Sequence, residues 1–154
     1  MQTSLTKIKN FRLYLLNQIK DLSADQLNKT PPGFSNNIIW NLGHLTCAQQ
    51  NMCYVRSGLP VAISEKYFSP YFPGTKPEKT VDEKDIEAIK ELFITSIDNF
   101  QKDLDNNIFI NYSPSVMIPK VYGFEVLNVE SAVEYILWHD GYHSGIISTL
   151  KKLV

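Results

Sequence analysis

Residues 129–150 read VESAVEYILWHDGYHSGIISTL, and the spacing of apolar side chains within them decides the fold. Val129, Ala132, Ile136, His139, His143, Ile146 and Leu150 recur at intervals of 3 and 4, which keeps them on one stripe of an α-helix. Asn128 stands before the stripe, and Glu130 lies in the first turn, where the helix dipole favours an anion. The spacing predicts a helix from near Asn128 to Lys151 or Lys152. Two positions on its inward seam are histidine where a bundle core asks for Leu or Ile.

Three further segments carry the same periodicity. Leu5, Ile8, Phe11, Leu15 and Ile19 predict a helix over about Thr3–Lys20. A short helical turn follows at Ser23-Ala-Asp-Gln26, which has the form of a capping box, with Leu22 able to staple against Leu27. The second long helix starts at the Ser35–Asn37 caps and ends at Ser57-Gly58. The third opens at Thr80-Val-Asp-Glu83, a second capping box. It carries Ile86, Ile89, Phe93, Ile97, Phe100 and Leu104 to about Asp105.

Two connections are long. Leu59 to Lys79 holds four prolines and the aromatic residues Tyr67, Phe68, Tyr71 and Phe72. Such a loop would cover a site mouth as a lid, pack over the bundle end or form a dimer contact. Asn107 to Leu127, with Pro114 and Pro119 among β-branched and aromatic residues, leaves room for a short hairpin. Four amphipathic helices with two long crossings predict an all-α, four-helix bundle, with residues 1–154 as one domain.

Composition narrows the function classes. With 15 basic and 16 acidic residues the formal charge is −1, and no basic block is present, which argues against nucleic acid or a membrane surface as a partner. No run of 18 apolar residues exists to span a bilayer. The first residues lack the uninterrupted apolar region of a signal peptide, so a cytoplasmic protein is expected. Cys47 and Cys53, six apart on one helix, would lie roughly 9 Å apart, too far for a disulfide. They are expected to be free thiols or small buried hydrophobes.

The chain has only three histidines. An i, i+4 pair is rotated by about 40° and offset by about 6 Å along the axis, so His139 and His143 can reach one ion. Two buried imidazoles without partners would cost several kcal/mol, which a metal ion would offset. His44, in Trp40-Asn-Leu-Gly-His44-Leu, offers a third ligand from the second helix, where Asn37, Asn41 and Asn51 make the surrounding face polar. Three histidines without an obligatory fourth ligand form the open, catalytic pattern rather than the closed structural one. The competing reading of each histidine alone is a hydrogen-bonded core residue.

Other residues near this motif invite alternatives. His139-Asp-Gly-Tyr-His143 mimics the zinc-protease H-E-x-x-H with Asp for Glu, but no His, Asp or Glu follows to complete such a site. Asp140 is then an outward charge or an acceptor for an imidazole N–H. Cys47, one turn from His44, is a fourth ligand or reactive thiol in the sharper reading and an inert buried thiol in the plainer one. Gly141 and Gly145 weaken a helix by about 1 kcal/mol each, which suggests close approach of a helix or ligand. Tyr142 and Ser144 flank His143 and pack or support it.

Trp40-x-x-x-His44-Leu45, together with Trp138-His139-Asp140-Gly141-Tyr142-His143-Ser144-Gly145, resembles the DinB/YfiT-like superfamily. Helix order, loop lengths and the Phe72-Pro-Gly-Thr stretch are similar too, over nearly the whole chain. The resemblance implies a four-helix bundle with a three-histidine divalent-metal site, His44 matching the second-helix ligand and His139 and His143 the last-helix pair. It further implies a homodimer. Characterised relatives include thiol S-transferases using bacillithiol-type cofactors and a mycothiol-dependent maleylpyruvate isomerase.

The expected function is therefore a metal-dependent enzyme that activates water or a low-molecular-weight thiol against a small-molecule electrophile, as a thiol S-transferase or hydrolase. The alternative is a non-catalytic, stress-associated metal-binding dimer. Imidazole suits Zn, Ni, Cu and Fe alike, so a divalent ion is expected without its identity. Loss of the ion is expected below about pH 6. No acidic general base and no basic pocket for a thiol cofactor is evident in the sequence.

Overall fold

A computed structural model describes residues 1 and 3–154 in full and residue 2 through its backbone alone. The described residues form six α-helices: α1 (Gln2–Gln18), α2 (Ala24–Asn28), α3 (Ile38–Cys53), α4 (Glu83–Asp105), α5 (Met117–Tyr122) and α6 (Val129–Lys151). Among the described residues there are no strands. The four long helices α1, α3, α4 and α6 form the bundle. α3 packs on α4 and α6, and α1 packs on the same two, so α1 and α3 face each other across the core.

Local chemistry sets the helix ends. Ser23 and Gln26 form the reciprocal capping box that opens α2. Asn37 caps α3, its side chain accepting from the Trp40 N–H at 2.8 Å. α4 starts later than the Thr80 box predicts. Asp82 is its cap, accepting from the Asp85 N–H at 2.8 Å. Asn128 and Ser131 cap α6 reciprocally. Past α3, a 3₁₀ turn over Val55–Ser57 ends at Gly58, whose φ of 75° is the left-handed conformation glycine tolerates.

The first seam differs from its expected course. Leu5, Ile8, Leu15 and Ile19 are buried as predicted, but between them Arg12, not Phe11, is fully buried. The inward stripe thus runs 5, 8, 12, 15, 19, the 3–4 alternation of a bundle seam. On α6 the inward residue after His143 is Ile147, with Ile146 half-buried. α3 is covered on nearly every side, so Asn51 alone of its residues is not buried.

The crossings account for the rest. Residues 107–127 form no hairpin. Ser113 N–H donates to the Arg56 carbonyl at 2.6 Å, and α5 follows, ended by Gly123 at a φ of 75°. Pro119 stands within the first turn of α5, where a missing N–H costs nothing. Residues 59–79 run through 3₁₀ turns at Glu65–Tyr67 and Ser69–Tyr71, the latter against α3. No described helix is long and apolar enough to cross a membrane.

Apolar packing falls into two clusters. One gathers Leu5, Ile8, Met52, Ile97, Phe100, Val133 and Ile136. The other gathers Leu15, Ile19, Leu42, Leu45, Phe93, Ile147 and Leu150. Between them, at the middle of every long helix, lies a buried polar layer of Arg12, Asn41, His44, Ser96, His139, Asp140 and His143.

Candidate metal centre

α3 contributes His44 and α6 contributes His139 and His143, all three buried. One ligand nitrogen from each lies within 4.8 Å of the others. Ring centroids are 5.3 Å apart for His44–His139, 4.8 Å for His44–His143 and 4.5 Å for His139–His143. Two nitrogens on one tetrahedral ion, each bonded at about 2.0–2.1 Å, sit roughly 3.4 Å apart, so side-chain rotations that draw these nitrogens together would let the cluster hold a single cation. The sequence-predicted trio is therefore brought together.

The rings are held from behind. His44 Nδ1 lies 2.9 Å from the Tyr71 carbonyl oxygen, which can only accept, so Nδ1 carries the proton and Nε2 presents a lone pair. His143 Nδ1 donates in the same way to Asn41 Oδ1 at 2.7 Å. The Asn41 amide is fixed in that orientation because its Nδ2 donates to the Asn37 carbonyl at 2.7 Å. Trp40 stacks on His44 with centroids 4.7 Å apart and planes 9° from parallel. Tyr135 stacks on His139 at 5.3 Å.

His139 differs from the other two. Its Nδ1 is buried with no hydrogen-bond partner. Leaving such an atom unsatisfied costs about 1–3 kcal/mol. Burial lowers the pKa of all three imidazoles, and for His139 and His143 a neighbouring histidine adds to the effect. His143 falls to about 3, through burial and then His44. His139 falls to about 2, through burial and then His143, His44 and Arg12. His44 is also lowered by burial, opposed by its bond to the Tyr71 carbonyl. At neutral pH the cluster is uncharged, the protonation state that ligates metal. An orphaned buried nitrogen, three neutral imidazoles and two ordered tautomers all fit a divalent ion.

The neighbouring residues correct several expectations. Asp140 is neither outward nor bonded to an imidazole. It is fully buried and paired with Arg12, whose Nε lies 2.8 Å from its Oδ2. Cys47 does not join the cluster. It is buried, and burial pushes its thiol up to about 12, so it is inert. Cys53 is likewise buried and unpaired with Cys47.

Gly141 and Gly145 face open space, for a Cβ at either would meet nothing within 4 Å. The glycine that permits close approach is Gly43, where a Cβ would lie 2.4 Å from Tyr71 Cδ1. Tyr142 is 57% exposed, its ring edge-on to His143. No acidic side chain other than the paired Asp140 belongs to the buried polar set.

The 59–79 crossing touches this centre through Tyr71, whose ring lies on Gly43 and whose carbonyl holds His44. Phe72-Pro-Gly-Thr75 turns back so that the Thr75 hydroxyl accepts from Trp40 Nε1 at 3.2 Å. A cleft of about 710 Å³ lies under this crossing, lined by Trp40, Tyr67, Tyr71, Lys66 and Asp85 among others. Trp40 both lines this cleft and stacks on His44. Sequence reading did not find Arg12, the Tyr71 carbonyl or the role of Asn41. The place of Arg12 three residues before Leu15 and four after Ile8 was the available signal.

A helical bundle with three converging imidazoles from its second and last long helices defines a class of bundle proteins able to hold one metal ion. The profile of the DinB superfamily matches residues 10–147, which include all three histidines, and the chain belongs to that superfamily. No curated protein matches the sequence.

Proposed function

We propose that this protein is a metal-dependent enzyme in which His44, His139 and His143 hold one divalent ion. The substrate class we assign is a small electrophile, attacked by water or a low-molecular-weight thiol, as in a hydrolase or thiol S-transferase. The observation that carries the proposal is the convergence of three buried neutral imidazoles with one nitrogen, His139 Nδ1, left without any partner.

A divalent ion held by these neutral imidazoles would keep its positive charge and would lower the pKa of water or thiol brought to that point towards neutrality. The chain's own residues prepare that point. Tyr71 and Asn41 fix the tautomers of His44 and His143, and Trp40 and Tyr135 wall two of the rings with apolar surface. Because Asp140 is committed to Arg12, no buried carboxylate is available to take a proton, and the reaction relies on the charge of the ion.

Two further parts of the proposal concern setting. Tyr122, Phe124, Leu127, Trp138 and Tyr142 are exposed large apolar residues around the outer face of α6, and they support a homodimer. The free cysteines support a reducing, cytoplasmic compartment, with residues 1–154 acting as one unit.

Metal content of the purified protein by mass spectrometry, beside His143→Ala, tests the centre. Stoichiometric metal in the parent and its loss in the variant are expected. Equal content in both, or none in the parent, refutes it. Turnover of thiol and electrophile pairs by the loaded protein, with His44→Ala as control, separates the enzyme from a non-catalytic metal-binding dimer.

A further inference from the structure

Arg12 is fully buried in the middle of α1, and its guanidinium is engaged by all three other long helices. Its Nε donates to Asp140 Oδ2 at 2.8 Å and its Nη2 to Asp140 Oδ1 at 3.4 Å, both on α6. Nη2 also donates to the Leu45 carbonyl of α3 at 3.3 Å. Nη1 donates to the Phe93 carbonyl of α4 at 3.0 Å and to Ser96 Oγ at 3.4 Å. The cation lies 4.6 Å from the Phe93 ring centroid.

Two of these partners are the immediate successors of the clustered histidines. Leu45 follows His44, and Asp140 follows His139. One rigid, planar fork therefore grips the main chain of α3 beside its histidine and the side chain of α6 beside its own. A buried ion pair is weak evidence for stability, because the cost of removing two charges from water roughly cancels their attraction. What the fork adds is directional. Its hydrogen bonds are satisfied at one axial register of α3 against α6, and a slide of one turn would break them.

We propose that Arg12 and Asp140 are positioning residues of the histidine cluster, fixing the register in which His44 and His139 lie 5.3 Å apart. The functional meaning rests on the metal reading, while the geometric claim does not.

Arg12→Met combined with Asp140→Leu removes both charges and keeps the volume. Arg12→Lys keeps a cation for Asp140 but lacks the fork. The readouts are Co²⁺ affinity by chelator competition, the visible spectrum of the Co²⁺-loaded protein, and nuclear Overhauser contacts between the His44 and His139 rings without metal. The double variant is expected to fold and melt cooperatively, to bind Co²⁺ about 10–100-fold more weakly with an altered spectrum, and to lose the ring contacts. The lysine variant is expected to fall between it and the parent.

A folded double variant with unchanged Co²⁺ affinity, spectrum and ring contacts overturns the proposal. If neither variant folds, the pair supports the whole bundle rather than the cluster, and the proposal is overturned as well. If the parent itself binds no Co²⁺, the metal reading fails and the metal-free ring contacts alone decide: their loss upholds the positioning role, and their retention refutes it.

Discussion

Asn41 on α3 receives the Nδ1 proton of His143 on α6 across 2.7 Å, so one helix sets the tautomer of a histidine on the other. Asn41→Ala removes that acceptor and leaves a buried N–H unpaired. The expected result is a metal affinity lowered about 10–100-fold, measured by chelator competition, with the helical circular dichroism unchanged. Undiminished affinity would mean that the contact does not orient the ring.

The glycines predict opposite signs. A methyl at Gly43 collides with the Tyr71 ring, so Gly43→Ala is expected to destabilise by about 1–3 kcal/mol and to displace the loop that anchors His44. Gly141→Ala and Gly145→Ala add a methyl in open space on a helix whose φ is ordinary there. Each is expected to stabilise by about 0.5–1 kcal/mol. Thermal melts of the three variants check both signs.

The contrast shows which features a sequence exposes. His139 and His143 were legible because they replace Leu or Ile on a periodic stripe, and such a stripe is a local property. Arg12 also replaces an apolar residue on a stripe, but Phe11 beside it offered a more natural member, and its partner is 128 positions away. Asp140 was misread for the same reason, since nothing local separates a solvated carboxylate from a buried one. The hairpin expected in 107–127 followed from β-branched and aromatic content, and the packing of Ile118 and Val126 onto the bundle prevailed over that preference.

Stability of the metal-free chain has a sign fixed by the buried imidazoles. Their folded pKa values lie below the ordinary value near 6.5, with His143 at about 3. Above pH 6.5 both folded and unfolded chains carry them neutral, and their contribution is fully present. Below it the unfolded chain takes up protons that the folded chain refuses, so stability falls as the pH drops towards about 3. The expected slope is about 1.4 kcal/mol per pH unit for each such histidine, read from urea melts after chelation, and shallower in His143→Ala. Competition by protons inside the folded site thus begins lower than the pH of about 6 expected from free imidazole.

The two cysteines should be silent in the native protein. Both are buried, and the Cys47 thiol is pushed up to about 12. A colorimetric thiol reagent is expected to count none in buffer and both in denaturant. Rapid native labelling of Cys47 would show that the wall of α3 opens.

Because Tyr71 meets His44 through its peptide oxygen, the anchor belongs to the path of the chain and not to the identity of the side chain. A cleft-lining residue such as Lys66 can therefore change without removing that oxygen, so long as the trace of the strap over Gly43 is kept. Any ligand that lifts the strap would withdraw that oxygen and disengage the imidazole beneath it directly.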